Sequence, residues 1–174
     1  MIFNKNKTKQ LMLALLVLLA TACSATNNEP ATSPEVTKTD SKKIVLQVHK
    51  SPTCGCCQKW MDHMDVSGFQ TIGRDSETME SVKNAKGVPA NYRSCHTATT
   101  DDGYVFEGHI PAKFVQQFLN EKPKGAIGLV VPGMPVGSPG MEYQNKFSAY
   151  DILLMMKDGT VAKYARVNTL EEQF

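Results

Sequence analysis

The chain has 174 residues, of which 41% are hydrophobic and 21% charged, so its composition is that of a folded protein rather than a disordered chain. The formal net charge is +2, but the first 22 residues carry three lysines and no acid, which leaves 16 basic and 17 acidic side chains in the remainder. A nearly neutral chain without a basic stripe is not expected to bind nucleic acid or an anionic membrane surface. Five cysteines and nine methionines are the unusual feature of the composition.

The N-terminal residues have the pattern of an export signal. Lysines at positions 5, 7 and 9 precede the apolar run Leu11–Ala20, which is too short for a membrane span of about 20 residues but suits a signal peptide. Residues 1–22 are therefore predicted to be a signal peptide. Ala20-Thr21-Ala22-Cys23 resembles a bacterial lipobox, which predicts lipidation of Cys23; plain secretion with a leftover Cys23 is the other interpretation.

The segment after Cys23 is polar and rich in Ser, Thr, Asn and Pro. It has too few large apolar residues to bury a core, so residues 23–42 are predicted to be a lipidated cysteine followed by a flexible tether. We expect the folded domain over residues 43–174, in the periplasm. There it would be held at the outer membrane through a lipid anchor, its only contact with a membrane.

The folded part shows strand and helix patterns in the order βαβα and then ββα, followed by further strands. The predicted strands are residues 44–48, 69–72, 93–98, 104–107, 127–131, 150–156 and 161–167, and the predicted helices are 56–66, 76–85 and 111–120. This order predicts an α/β, thioredoxin-like core with additional C-terminal β-strands. Trp60, Met61 and Met64 share the expected buried face of the first helix. Val88-Pro89 lies where such folds keep a cis-proline.

Three cysteines lie within four positions between the first strand and the first helix, at Cys54, Cys56 and Cys57. A helix N-terminus lowers the pKa of a thiol, and the thiolate is both a nucleophile and a metal ligand. Clustered thiolates repel one another unless a soft metal ion or a disulfide neutralises them. Cu(I) and Zn both suit thiolate ligands.

A fourth cysteine, Cys95, lies at the start of the predicted third strand, which runs beside the first. This placement predicts that Cys95 approaches the first three cysteines. If the segment is a regular strand, His96 points to the opposite face, so one of Cys95 and His96 would not be a ligand. His109 ends the next strand and is expected at the same edge. His49 and His63 are weaker candidates, and His63 is expected to be solvated.

Two methionines, Met134 and Met141, lie in a loop with three prolines and three glycines. The loop lacks the apolar periodicity of a core element, so packing explains these side chains poorly. A thioether still binds metal when thiols are oxidised, which favours copper over zinc in an oxidising compartment.

The segments CGCCQKW, GVPANYRSCHTA, GYVFEGHIPA and AIGLVVPGMPVGSPGME together resemble the periplasmic copper-resistance family called CopG, over about residues 44–164. The resemblance implies a thioredoxin-like fold and a copper site built on the C-x-C-C motif. The ligands it implies are Cys54, Cys56, Cys57 and Cys95, with His96, His109, Met134 and Met141 as candidates for the rest of the shell. It also implies a role in copper detoxification, with interconversion of Cu(I) and Cu(II) as the implied reaction and other periplasmic copper-handling proteins as the implied partners.

Two other classes of function stay open. Cys54 and Cys57 have C-x-x-C spacing, which is typical of a thiol–disulfide oxidoreductase, although Cys56 between them invites disulfide scrambling. The second class is a protein with a structural zinc site. The C-x-C-C motif is crowded for a closed tetrahedral zinc site, however, and the methionine loop would have no role. No acid–base dyad, Ser-His-Asp set or nucleotide fingerprint is visible in the sequence. Whether the protein turns over a substrate stays open, and a binding role is favoured.

Overall fold

The structure, a computed structural model, describes residues 43–174. The predicted signal peptide, the lipidation of Cys23 and the tether lie outside these residues. The described strands are β1 (Val45–Lys50), β2 (Gln70–Asp75), β3 (Thr97–Thr99), β4 (Val105–Glu107), β5 (Ala126–Val130), β6 (Tyr150–Met156) and β7 (Val161–Val167). The helices are α1 (Gly55–Val66), α2 (Met79–Ala85) and α3 (Ala112–Glu121), with single 3-10 turns at Ala90–Tyr92 and Glu171–Gln173. Within this range no helix is long and apolar enough to cross a membrane.

All seven strands form one sheet in the order β2-β1-β3-β4-β5-β6-β7. β1 pairs in parallel with β2 and antiparallel with β3, and β3 pairs antiparallel with β4. This arrangement, with α1 and α2 in the β1–β2–β3 half and α3 after β4, confirms the predicted α/β fold. β5 then pairs in parallel with β4, and β6 and β7 continue the sheet as an antiparallel hairpin, so the predicted additional strands extend the same sheet.

The core lies between the sheet and helices α1 and α3. Trp60, Met61 and Met64 are buried on one face of α1, as the helical spacing predicts. The Trp60 indole N–H donates to the carbonyl oxygen of Ile110 at 2.9 Å, which satisfies its polar atom inside the core. This contact joins the first turns of α1 to the segment between β4 and α3, where His109 lies.

The largest difference from the predicted elements is the short third strand. Residues 93–96 are not part of β3, because the Ser94 amide donates to the side-chain carboxylate of Glu107 at 2.7 Å instead of to a neighbouring strand. Cys95 therefore lies two residues before β3 rather than at its start. The described chain has no cis peptide bond, so the expected cis-proline at Val88-Pro89 is wrong.

Candidate metal site

The first turn of α1 presents three cysteine side chains. Cys54 is the N-cap residue of this helix, and Cys56 and Cys57 lie in its first turn. The Cys54 amide donates to the Ser51 carbonyl at 3.1 Å, so the turn after β1 holds the start of the helix in place. The three sulfur atoms therefore lie together at the positive end of the helix dipole.

Cys54 and Cys57 are joined by a disulfide, with their Cα atoms 5.3 Å apart. Cys56 and Cys95 are free. The Cys56 sulfur lies 3.5 Å from the Cys54 sulfur and 3.8 Å from the Cys95 sulfur. All four sulfur atoms lie within 4.8 Å of one another, and we call Cys54, Cys56, Cys57 and Cys95 the thiol group. A metal ion held by all four requires the disulfide to be reduced first.

The environment of Cys95 favours its protonated form in the absence of a metal. Burial, and secondarily the neighbouring Cys56 thiol, raise the pKa of Cys95 to about 12. A cation bound at this sulfur would displace the proton, so metal binding here is coupled to proton release.

Cys95 also contacts two histidines. Its sulfur lies 3.3 Å from Nδ1 of His96 and 3.0 Å from Nε2 of His109, and both imidazoles are buried. We call Cys95, His96 and His109 the imidazole group; its ligand atoms also lie within 4.8 Å of one another. The prediction that Cys95 and His96 point to opposite faces applied only to a regular strand, and this condition is not met, because residues 93–96 are not part of a strand and have no strand alternation.

The orientation of His109 is determined by one hydrogen bond. A carbonyl oxygen only accepts, so Nδ1 of His109 donates its proton to the Pro139 carbonyl at 2.8 Å. Nε2 then carries the lone pair and faces Cys95. Burial lowers the pKa of His109, which keeps the ring neutral. A neutral imidazole whose second nitrogen donates to a carbonyl is the arrangement usual for metal-bound histidine.

His96 is fully buried between two rings, with the Trp60 centroid at 4.4 Å and the His109 centroid at 5.0 Å. Burial is the main reason that its pKa lies well below the ordinary value, and the nearby His109 and Lys83 add to this, so the ring is neutral. Its Nε2 has no hydrogen-bond partner. A buried nitrogen without a partner is unfavourable, which is consistent with a group that the protein keeps for binding.

The methionine loop lies against this site through its backbone. A Cβ atom on Gly140 would come within 2.6 Å of the Cys56 carbonyl oxygen and 3.3 Å of Nδ1 of His109, so only glycine fits there. Met141 follows directly and is half-buried, whereas Met134 is 53% exposed. The structure thus brings the loop to the start of α1, and coordination by the two thioethers stays a prediction.

The two weaker histidine candidates belong to neither donor group. His49 lies on β1 opposite Thr97. His63 is not solvated as expected: it is half-buried, and its Nε2 accepts a hydrogen bond from the Ala112 amide at 3.1 Å. It therefore caps the N-terminus of α3, where the first amides of a helix lack partners inside the helix.

Three contributors to the site were missed from sequence: the Pro139 carbonyl, Gly140 and the buried carboxylate of Glu107. The only available signal for Glu107 was a charged residue directly after the apolar pair Val105-Phe106, within a predicted strand. The roles of Pro139 and Gly140 depend on contacts with residues about 30 and 80 positions away and leave no local pattern.

Comparisons with known proteins find a family profile and solved structures that are similar to this chain. A family profile described as "Protein of unknown function, DUF411" matches residues 92–141, which include Cys95, His96, His109, Met134 and Met141. Two solved structures named "Copper resistance protein copG", Form 1 and Form 2, are each 35% identical to the chain with a TM-score of 0.68. They cover 73% and 72% of this chain, respectively, and 99% of their own length is matched. A comparison with curated protein sequences found no match.

Proposed function

The chain belongs to the family of the copper resistance protein CopG, and from this premise we propose that it binds copper for copper resistance outside the cytoplasm. The observation that carries the proposal is that two donor groups share Cys95: four sulfur atoms on one side and two imidazoles on the other. Thiolate is the preferred protein ligand of Cu(I), and imidazole binds both copper oxidation states.

The shared cysteine supports more than one copper ion per chain. A thiolate sulfur has several lone pairs and can bridge two metal ions. Cys95 contacts Cys56 at 3.8 Å and His109 at 3.0 Å, so a bridging sulfur there would connect an ion held by the thiol group to one held by the imidazole group. We infer a multinuclear, cysteine-bridged arrangement with Met134 and Met141 at its edge.

The state of the disulfide decides how many ligands are available. A disulfide sulfur is a poor ligand, so the oxidised protein offers Cys56, Cys95 and the two histidines. Reduction of Cys54–Cys57 takes two electrons and two protons from a dithiol and yields two further thiols at the N-terminus of α1. Full Cu(I) loading is therefore expected only after reduction.

The physiological role follows from location and metal together. We propose that the chain is exported, anchored through Cys23 and tethered by residues 24–42, so that the domain binds periplasmic copper for storage or for transfer to other copper-handling proteins. The site mixes soft sulfur with nitrogen ligands and so suits both Cu(I) and Cu(II), which supports interconversion of the two with an external one-electron donor or acceptor.

The test is anaerobic Cu(I) loading of the full chain carrying Cys23→Ser, which leaves only the four thiols of the site. Copper is measured by mass spectrometry and free thiols by titration, with and without prior reduction by a dithiol. Several coppers per reduced chain, with the thiols protected, are expected. A reduced chain that retains no copper and keeps four titratable thiols would contradict the proposal.

A second candidate function is thiol–disulfide exchange, favoured by the Cys54–Cys57 disulfide at the start of α1. The trans Val88-Pro89 bond removes one of the two features that suggested this activity. Cys56 lies 3.5 Å from Cys54 and would compete for any mixed disulfide. Insulin reduction by the metal-free protein tests this function, with Cys54→Ser as the control, and no activity above that control would exclude it.

A further inference from the structure

We propose that Glu107 is a positioning residue of the copper site, and that its buried carboxylate, paired with Lys83, holds residues 94–96 so that Cys95 and His96 face His109. The identity of the metal rests on the proposed function. The positioning itself is a property of the metal-free protein.

The carboxylate of Glu107 is completely satisfied by three groups. Its Oε1 accepts from the Lys83 ammonium at 2.6 Å and from the Ser94 amide at 2.7 Å. Its Oε2 accepts from the Thr97 hydroxyl at 2.6 Å, and the Thr97 oxygen in turn accepts from Lys83 at 3.1 Å. The Lys83 and Glu107 side chains are 6% and 0% exposed, so the network is shielded from water.

These bonds connect the two segments that carry the imidazole group. Ser94 directly precedes Cys95 and His96, and Glu107 is followed by Gly108 and His109. The Gly108 amide donates to the His96 carbonyl at 3.0 Å, which adds a second connection between the same segments. The Ser94 hydroxyl donates to the Gly133 carbonyl, so the start of the methionine loop is held to the same point.

Stability alone does not explain a charged pair at this position. Removing two charges from water is unfavourable, and apolar residues of similar size are often as stabilising as a buried ion pair. An apolar side chain at position 107 would leave the Ser94 amide without an acceptor. A carboxylate offers enough lone pairs to bind Ser94, Thr97 and Lys83 together, and Lys83 neutralises its charge.

Two double variants separate positioning from charge burial. Lys83→Met with Glu107→Gln removes both charges but keeps a side-chain oxygen that accepts from the Ser94 amide. Lys83→Met with Glu107→Leu removes both charges and that acceptor. Neither variant leaves an unpaired charge in the core, so a difference between them reports the hydrogen bond to Ser94.

Two readouts are measured on the full chain carrying Cys23→Ser. Amide hydrogen exchange of Ser94 and Cys95 is followed by NMR in the metal-free protein. Cu(I) affinity and the thiolate-to-copper absorption band are measured by competition with a chromophoric chelator. Phe118→Leu on α3, which creates a cavity among the core aromatic side chains, controls for lost stability.

We expect the Leu variant to exchange Ser94 at least about tenfold faster than the Gln variant, and to bind Cu(I) about 10- to 100-fold more weakly with a shifted absorption band. The Gln variant and Phe118→Leu are expected to keep the wild-type band. Equal protection of the Ser94 amide from exchange in the Leu and Gln variants would overturn the inference. A shift of the absorption band in Phe118→Leu equal to that in the Leu variant would also overturn it.

The outcomes also separate this inference from the proposed function. If the wild-type chain binds no Cu(I), the proposed function fails and hydrogen exchange in the metal-free protein alone decides the positioning role. If the Leu variant does not fold, Lys83→Met with Glu107→Met takes its place, because methionine matches the length of glutamine but lacks the amide oxygen that accepts from Ser94. Faster Ser94 exchange in this Met variant than in the Gln variant supports the inference, and equal exchange overturns it.

Discussion

The sulfur of Cys95 lies 3.0 Å from Nε2 of His109, and this contact joins the thiol group to the imidazole group of the site. The histidine presents a lone pair there because its other nitrogen donates to the Pro139 carbonyl at 2.8 Å. Cys95 is therefore the one residue that belongs to both groups of candidate metal ligands found within residues 43–174.

Cys95→Ser is expected to reduce copper binding more than Cys56→Ser, which removes a sulfur from the thiol group alone. We expect Cu(I) affinity to fall by at least about a hundredfold, equivalent to about 2.7 kcal/mol, because both donor groups lose a ligand. Quenching of Trp60 fluorescence by bound copper provides a second measurement, since Trp60 is the only tryptophan of the sequence and its ring centroid lies 4.4 Å from that of His96. Equal affinity and equal quenching in the two variants would show that Cys95 is not shared.

Met134→Leu and Met141→Leu test the predicted thioether ligands. Leucine has a similar volume, so each change is expected to alter the free energy of unfolding by less than about 1.5 kcal/mol. We expect weaker Cu(I) binding, and at the exposed Met134 also slower loading, because a sulfur donor is lost. Met156→Leu on β6 is the control. If both loop variants keep the wild-type Cu(I) affinity and loading rate, the two methionines are not copper ligands and only contribute to packing.

Gly140→Ala is expected to move the methionine loop away from the site. The new Cβ would lie 2.6 Å from the Cys56 carbonyl oxygen and 2.9 Å from the Trp60 amide nitrogen. Gly133→Ala is the matched control, because both glycines have a positive φ but Gly133 has open space around it. In urea unfolding we expect a loss of about 1 kcal/mol for Gly133→Ala and roughly 1–3 kcal/mol more for Gly140→Ala, with weaker Cu(I) binding only in the latter. Similar results for both variants would exclude close packing of the loop.

His63 is expected to make the stability of the metal-free protein depend on pH. Burial lowers the pKa of His63, with the Glu142 carboxylate opposing this only in part. Below pH about 6.5 the unfolded chain takes up a proton that folded His63 does not, so stability falls as the pH decreases from 7 through 6.5 towards the folded pKa. Above this window His63 has no effect on the pH dependence.

His63→Gln keeps an acceptor for the Ala112 amide but does not titrate, so its unfolding free energy should vary less between pH 7 and pH 5. Some dependence remains, because burial also lowers the pKa of His96 and His109. His63→Ala removes the helix cap and is expected to lower stability by about 1 kcal/mol at pH 7.5. Identical pH profiles for the wild type and His63→Gln, measured by urea unfolding, would contradict the role given to His63.

Local sequence patterns determined the elements and the thiol cluster. The predicted bounds of the last hairpin, 150–156 and 161–167, agree with β6 and β7, because apolar strands flank the turn residues Lys157-Asp158-Gly159. Cys54, Cys56 and Cys57 are neighbours in the chain at a helix start, so their proximity needs no tertiary contact. Trp60 and Met64 were predicted to be buried because helical periodicity places them on one face.

Only the tertiary structure decided how the second half of the site is built. The sequence predicts that residues 93–96 are part of a strand. In the structure the Ser94 amide instead donates to the carboxylate of Glu107, 13 positions away, and His96 faces Cys95. The Pro139 carbonyl orients His109 from 30 positions away. The periodicity of apolar residues indicates which face of a helix or strand is buried. Hydrogen bonds between segments distant in sequence depend instead on how the whole sheet is packed, so no local pattern of residues encodes these bonds.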